Sequence, residues 1–271
     1  MNWKVFFTRL GSAVVFAAVM MLGLLYPNAF AIFILALLIQ FLCLKEFFKL
    51  MRHIFPDAYF PHWLEYSFQL AGVWLLTTLS TLAPLLLCVL IFGSFILLLM
   101  AALARKTAFI AVICGFTALI YISLPLGFLV ILRNIHFAIP LAVVLMIWMN
   151  DTMAYIVGSF IGKHSFSPIS PKKTWEGTIG GAFLTLIGAG IWGYYCRLEN
   201  FDMADWLIMA LLAVLAGTAG DLLESKLKRL AGVKDSGHIM PGHGGALDRF
   251  DSLLITLPFV FCYVYFFMTN G

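Results

Sequence analysis

Side chains suited to metal and phosphate chemistry are concentrated in residues 232–252, GVKDSGHIMPGHGGALDRFDS, which lie between two apolar runs. Asp248 and Asp251 are three positions apart, so at the start of a helix they would share one face. Carboxylates are ligands that Mg²⁺ selects, and phosphate oxygens commonly complete its coordination shell. Gly244 and Gly245 allow backbone N–H groups to approach an anion closely. This stretch therefore predicts a site for a divalent cation and a polyphosphate.

A further carboxylate, Asp221, ends the apolar run LLAVLAGTAGD. If a helix continues past it, a hydroxyl and two cations follow on the same face, at i+4, i+7 and i+8: Ser225, Lys228 and Arg229. A carboxylate one turn before a hydroxyl and two cations suits a metal ion bound to phosphate. A solvated helix face is the alternative interpretation.

A second polar stretch, residues 162–181, has the sequence GKHSFSPISPKKTWEGTIGG. Its Lys172 and Lys173 could lie in a loop over phosphates, or they could anchor the topology of a membrane protein. The spacing alone does not separate these two interpretations.

Known nucleotide and hydrolase motifs are absent from the sequence. There is no GxxxxGK[ST], no HExxH and no GxSxG, and His238 and His243 are too far apart for an HxGH pattern. His243 lies between glycines and is therefore a candidate donor to a phosphate.

The composition identifies the kind of structure that must position these groups. Of 271 residues, 63% are apolar and 11% are charged, with a net charge of +4, whereas soluble domains carry about 25% charged residues. This composition excludes a soluble domain, a disordered chain and a free nucleic-acid-binding domain. We expect an all-α, polytopic integral membrane protein with about nine transmembrane helices and polar active-site loops on the cytoplasmic face.

The apolar windows define the expected membrane spans. They lie at residues 11–25, 29–44, 66–80, 84–104, 107–132, 137–161, 177–195, 206–221 and 252–269. The window 107–132 contains Pro125 and could be one kinked helix or two short ones. We prefer one helix, because nine spans then leave the richest basic loops on the cytoplasmic side.

Two halves follow from this pattern. Residues 1–135 are expected to hold N-terminal transmembrane helices that face lipid, support oligomerisation or enclose acyl chains, and residues 136–271 to form the catalytic half. Residues 45–62, KEFFKLMRHIFPDAYFPH, mix aromatic and cationic side chains. They suit either a short segment at the lipid headgroups or an ordinary basic loop.

The carboxyl-terminal half resembles a known family. The pattern Ser225-x-Leu227-Lys228-Arg229, four residues, Lys234-Asp235-x-Gly237, then Pro241-x-His243-Gly244-Gly245-x-x-Asp248-Arg249-x-Asp251 resembles the signature of phosphatidate cytidylyltransferases, also called CDP-diacylglycerol synthases. Asn150-Asp151 and the stretch from Ser170 to Gly181 resemble the second conserved block of that family.

The resemblance implies transfer of CMP from CTP to phosphatidate, giving CDP-diacylglycerol and pyrophosphate. It implies Mg²⁺ as cofactor and leaves open a second cation. The implied metal ligands are Asp221 and Asp248, with Asp251 in support, and the implied catalytic set is Asp221, Asp248, Lys228 and Arg229. The implied substrate-binding residues are Lys172, Lys173, Ser225, Lys234, His243, Gly244, Gly245 and Arg249.

The expected setting is a bacterial inner membrane, with the active site facing the cytoplasm. The expected partners are CTP, phosphatidate, the bilayer and a second copy of the chain in a homodimer, with no nucleic acid. Two alternatives remain within the same superfamily, a CDP-archaeol synthase and a polyprenol-type kinase. A third alternative is a transporter, with Asp151 and Asp221 as relay groups and residues 136–163 as a broken helix.

Overall fold

The computed structural model describes residues 3–81, 93, 96, 106–198, 201–239, 242 and 244–268. Nearly all of these residues are helical, and the only strands among them form one short hairpin. The chain divides into two compact units. The first comprises Met1–Asn134 and Leu227–Arg249, and the second comprises Ile135–Lys226 and Phe250–Gly271.

Long helices make up the first unit. They are α1 (Trp3–Leu25), α2 (Ala29–Ile54), α3 (His62–Thr81), α4 (Lys106–Ala118) and α5 (Leu124–Ile135). Between α1 and α2 the chain turns as the sequence predicts, and the Asn28 side chain accepts a hydrogen bond of 2.9 Å from the Phe30 N–H at the start of α2. Arg133 caps the carboxyl-terminal end of α1, because its guanidinium donates hydrogen bonds to the carbonyls of Leu24 and Tyr26.

Helices α4 and α5 are joined by the π-helical segment Leu119–Ser123, with no break in the backbone. Pro125 follows directly and cannot donate a backbone hydrogen bond, which explains a local widening of the helix at this point. The expectation of one irregular helix over 107–132, rather than two, is therefore confirmed. The core of the first unit includes buried aromatic side chains on α2 and α3, where Phe48 contacts both Phe47 and Phe68.

The second unit contains α6 (Ala138–Ile161), the strands β1 (Ser165–Ser167) and β2 (Ser170–Thr174), and α7 (Trp175–Tyr195). It also contains most of α8 (Met203–Leu230) and of α9 (Leu247–Tyr263), which the π-helical segment Val264–Met268 extends. Helices α6 and α7 pack closely because glycines line the contact: a Cβ at Gly181 would lie 2.8 Å from the Ala154 nitrogen. Helix α6 is continuous, so the broken helix that the transporter alternative required is not found there.

Five described helical runs are long and apolar enough to cross a membrane: Phe30–Ile54, Phe109–Ile135, Ala138–Ile161, Met203–Leu230 and Leu247–Met268. Each overlaps a predicted span. The predicted spans 11–25, 66–80 and 177–195 are helical but are not among these five, and 84–104 lies outside the described residues apart from positions 93 and 96. The count of nine stays a prediction. Residues 45–54 belong to α2, so the separate segment expected over 45–62 is not found; only residues 55–61 connect α2 to α3.

Candidate active site

In the first unit, the site begins where α8 ends and the polar loop, residues 231–246, starts. The Val233 N–H donates to the Lys228 carbonyl and the Gly232 N–H to the Arg229 carbonyl, with Gly232 at a φ of +68°. These two bonds and the left-handed glycine define a Schellman motif, which stops the helix sharply. The motif fixes Lys228 in the last turn of α8, at the start of the loop.

Lys228 and Asp248 form an ion pair with 2.6 Å between Nζ and Oδ1, and their side chains are only 14% and 6% exposed. The second oxygen of Asp248 accepts hydrogen bonds from the backbone N–H and hydroxyl of Ser236, both 2.9 Å, and from the Gly245 N–H, 2.7 Å. Asp248 thus connects the end of α8, the middle of the loop and the start of α9.

A buried carboxylate on α2, Glu46, holds the other side of this loop. Its Oε2 accepts from the Leu247 N–H at 2.8 Å and, also at 2.8 Å, from the Ser236 hydroxyl, whose single proton it shares with Asp248, and its Oε1 accepts from the Ala246 N–H at 3.0 Å. The residue is 5% exposed. Two of the N–H groups at the start of α9 are thereby satisfied by a charged acceptor from a distant part of the chain.

The glycines of this loop serve its packing. Gly244 has a φ of +84°, and a Cβ there would lie 2.7 Å from the Asp248 carboxylate. A Cβ at Gly245 would overlap Glu46 and Ser236. The Gly245 N–H, which was predicted to contact an anion, donates to Asp248 in this structure. His243, the other predicted phosphate donor of the loop, lies outside the described residues.

In the second unit, the hairpin that carries Lys172 and Lys173 is fastened to the start of α7. Thr174 caps that helix by accepting from the Gly177 N–H at 3.1 Å. Glu176 accepts from the Lys163 and His164 N–H groups, at 3.1 and 3.2 Å, and pairs with the His164 ring at 2.5 Å. The His164 ring and these backbone donors lower the pKa of the Glu176 carboxyl to about 2.

This fastening brings Lys173 against Asp221. The two side chains form an ion pair and are 31% and 27% exposed, while Oδ2 of Asp221 is itself buried. Nearby, α8 and α9 approach closely, since a Cβ at Gly220 would overlap the Asp251 backbone. Asp251 is 8% exposed and its Oδ1 accepts from the Ser252 N–H. The second unit therefore holds two of the predicted metal ligands where α8 and α9 meet.

The remaining predicted site residues differ in exposure. Ser225 is half-buried on α8. The exposed ones are Lys172, Arg229, Lys234 and Arg249. Their exposure leaves them accessible to an anionic substrate, and the roles predicted for them stay predictions.

The donor chemistry fits a hard divalent cation. Asp221 and Asp251 supply carboxylate oxygens, and the buried Oδ2 of Asp221 faces the ammonium of Lys173, so a positive charge already occupies that position. Within the described residues, no group of three or more His, Cys, Asp or Glu side chains converges on one point. A metal ion here would take its remaining ligands from phosphate oxygens and water. Asp248, the third predicted ligand, is held by Lys228 and the loop.

Comparison with known proteins places these residues in a family. Residues 7–267 match the sequence pattern of the cytidylyltransferase family. The chain belongs to that family. A phosphatidate cytidylyltransferase from Staphylococcus aureus (strain COL) is 49% identical over 117 residues, 42% of this chain and 44% of the relative. One from Staphylococcus saprophyticus is 40% identical over 169 residues, 61% of this chain and 64% of the relative. The chain thus spans less than two thirds of the length of these curated relatives.

Two carboxylates of this cytidylyltransferase-family chain were missed by the sequence analysis. Glu46 lies in an apolar helix nearly 200 positions before the loop that it binds, and the pattern QFLCLKEFFKL contains no sign of that contact. Glu224 lies one turn after Asp221 and is fully buried. The sequence does show that both carboxylates lie within apolar helices, and such a group requires polar surroundings. That feature could have marked Glu46 and Glu224 as candidates without identifying their partners.

Proposed function

We propose that this protein transfers CMP from CTP to phosphatidate, forming CDP-diacylglycerol and pyrophosphate. Family membership and the names of the relatives support this activity. The structural observation that carries it is a pair of lysine–aspartate ion pairs, Lys173 with Asp221 and Lys228 with Asp248. Lys228 and Asp248 belong to the family signature, Lys173 belongs to the second block, and Asp221 lies four residues before the signature. Groups of both signs, held in place before substrate arrives, suit a reaction between two anions.

The reaction joins a lipid phosphate to a nucleotide. An oxygen of the phosphatidate phosphate attacks the α-phosphorus of CTP, and the bond from that phosphorus to the bridging oxygen breaks, releasing pyrophosphate. A phosphate monoester is already anionic near neutral pH, so the attack requires no general base. The task of the protein is to hold the two phosphates in line and to reduce their repulsion.

The cationic side chains are the groups that would contact phosphate. Lys173 and Lys228 are already fixed by carboxylates and so have little rotational freedom to lose. Lys234, Arg229 and Arg249 are exposed, so their charges are accessible to an incoming triphosphate. Lysine and arginine differ in this role, because arginine can contact two phosphate oxygens at once.

Mg²⁺ is the proposed cofactor, and bound to the substrate it would neutralise phosphate charge that develops during the transfer. Asp221 and Asp251 would hold it, since their oxygens are of the hard type that Mg²⁺ prefers. Asp248 is proposed as a further ligand, for which its carboxylate would have to give up Lys228. A second cation is proposed from the family resemblance alone.

The reaction also fixes the proposed location. A lipid with two acyl chains stays in the bilayer and CTP stays in water, so the site must lie at the membrane surface. We place it on the cytoplasmic side of a bacterial inner membrane, because the basic residues near the membrane-length helices favour that orientation. The homodimer predicted from the sequence would be tested by the mass of the purified protein in detergent.

The test is pyrophosphate release by the purified protein in detergent micelles with CTP, phosphatidate and Mg²⁺. We expect release that requires all three and that falls at least 100-fold in Asp221→Asn. Gly190→Ala is the matched control, because a Cβ there meets nothing within 4 Å. Absence of release from folded protein, supplied with Mg²⁺ and K⁺, would refute the proposed activity.

A panel of substrates separates the alternatives. Replacing phosphatidate by an archaeal ether lipid tests for a CDP-archaeol synthase. Supplying a polyprenol and following phosphate transfer without loss of pyrophosphate tests for a lipid kinase. Gradient-driven uptake into vesicles without CTP would indicate a transporter.

A further inference from the structure

The first unit contains a cavity of about 560 Å³ to which the sequence analysis assigned no role. It lies between the carboxyl-terminal half of α2, the start of α3 and residues 236–239 of the polar loop. Its size is within the usual range for small-molecule sites. Every residue that lines it belongs to the first unit.

One wall of the cavity is cationic. Lys45 and Lys49 are one turn apart on α2, so their ammonium groups share one face of the helix. In the part of the chain that the structure describes, neither has an ion-pair partner. The neighbouring Arg52 differs, because it is paired with Glu65. With Arg52 paired to Glu65, the two lysines and the Glu46 carboxylate give the lining a formal net charge of +1 with the histidines neutral.

The one other carboxylate that lines the cavity, Glu46, forms no ion pair with either lysine among the described residues. Glu46 is buried, and both of its oxygens are committed to the loop. His62 and His238, both exposed at the same cavity, add ring N–H donors. The cavity thus presents donors and positive charge to an anion.

Apolar side chains form another part of the lining. Phe41, Leu42 and Phe48 from α2 and Ile239 from the loop contribute to it. Phe41 and Arg52 are eleven positions apart on one helix, which corresponds to roughly 16 Å along its axis. Phe30–Ile54 is a membrane-length run that ends in cations, so Phe41 and Leu42, which precede both lysines, would lie deeper in a bilayer than the lysines.

We propose that this cavity binds the phosphate monoester headgroup of a two-chain lipid, with Lys45 and Lys49 as its phosphate ligands and the Phe41 side directed at the acyl chains. The proposal rests on the proposed function, for which it locates the phosphatidate site. CTP fits less well, because the two lysines cannot balance a triphosphate and much of the lining is apolar.

The cavity is also coupled to the active-site loop. Ser236 lines the cavity and donates to both Glu46 and Asp248. A phosphate bound at Lys45 and Lys49 would therefore lie beside the loop that fixes Asp248. An interfacial anchor made of the same lysines would require no cavity and no such connection.

The test is equilibrium binding to the purified full-length chain in detergent, without CTP or Mg²⁺. The probes are dihexanoyl phosphatidate, dihexanoyl phosphatidylcholine, inorganic phosphate and CTP, measured by calorimetry. We expect the double variant Lys45→Gln/Lys49→Gln to bind the phosphatidate about 25-fold more weakly, about fivefold for each lysine. The double variant with arginine at both positions should stay within about threefold of the original. Arg197→Gln, an exposed charge in the second unit, is the control and should bind normally.

Each result bears on the proposal. Unchanged phosphatidate binding in the double glutamine variant would overturn it, provided that the variant unfolds at the normal temperature. Equal binding and equal loss for inorganic phosphate would overturn the lipid part, and loss of CTP binding instead would indicate a nucleotide site. A chain that binds as expected but releases no pyrophosphate would refute the proposed activity and leave the cavity assignment standing.

Discussion

Removing the Glu46 carboxylate should free the polar loop while leaving the helices in place. Glu46→Ala deletes three hydrogen bonds, to the Ser236 hydroxyl and to the N–H groups of Ala246 and Leu247. Bonds to a charged acceptor contribute about 1.5–3 kcal/mol each. Water entering the vacated space would recover about half of that sum. We therefore expect the free energy of local loop opening to fall by about 2–4 kcal/mol.

Amide hydrogen exchange measures this opening directly. A loss of 2–4 kcal/mol corresponds to exchange about 30 to 700 times faster for the peptide covering residues 236–247. Glu46→Gln keeps one acceptor oxygen and places an amide group against a backbone donor, so its exchange should rise by a smaller factor, about 5 to 30. Glu65→Gln is the matched control, because Glu65 pairs with Arg52 and not with the loop.

Two results would contradict this reasoning. Exchange within about threefold of the original protein in Glu46→Ala would show that the carboxylate does not hold the loop. Faster exchange throughout α2 and α3, to the same extent as in the loop, would show global destabilisation rather than the loss of a local anchor.

Three further predictions follow from the packing and charges. Gly245→Ala should reduce the free energy of unfolding by about 1–3 kcal/mol, because the new Cβ would overlap buried side chains. The unfolding temperature of this variant should fall, whereas that of the control Gly190→Ala should stay the same or rise slightly. Lys173→Met should reduce the free energy of unfolding by about 1–2 kcal/mol, and so lower the unfolding temperature, because it removes the cation paired with Asp221; the pair is partly exposed, so the cost is smaller than for a fully buried pair. Adding Asp221→Asn should restore the unfolding temperature, and no recovery would refute the pairing. Because the folded pKa of Glu176 is depressed to about 2, its carboxylate stabilises the hairpin fully above about pH 4.5, and the effect is lost as the pH falls towards 2. The protection of the amides of residues 163–164, taken relative to their intrinsic exchange at each pH, should therefore fall over that range, and this fall should be absent in a Glu176→Gln variant.

Some features could be predicted because their causes are local. The helix over 107–132 follows from apolar length, and its irregular turn follows from Pro125. The i, i+7 spacing of Asp221 and Lys228 on one helix likewise requires only helical periodicity. The family could be recognised because its signature lies almost entirely within residues 225–251.

The rest could not be predicted, because it depends on contacts between distant segments. Lys172 and Lys173 are adjacent and chemically alike, yet only Lys173 meets Asp221, since alternate side chains of a strand point to opposite sides. Periodicity favoured a loop there, and the hairpin forms because Glu176 and Thr174 fasten it to α7. The close approach of Gly244 and Gly245 to the Asp248 and Glu46 carboxylates likewise depends on distant segments, and their predicted role in phosphate binding stays a prediction.

The two lysine–aspartate pairs have a common physical consequence. A bare carboxylate among apolar helices costs several kcal/mol in lost hydration, and Asp248 is almost completely buried. Lys228 and Lys173 neutralise Asp248 and Asp221 while no substrate is present, so neither pair adds net charge. The same lysines are among the strongest phosphate donors available to the chain. Substitution by glutamine at either lysine should therefore have two separable effects, a lower unfolding temperature without substrate and a higher Michaelis constant for the anionic substrates. A change in stability alone, with unchanged kinetics, would make these lysines purely structural.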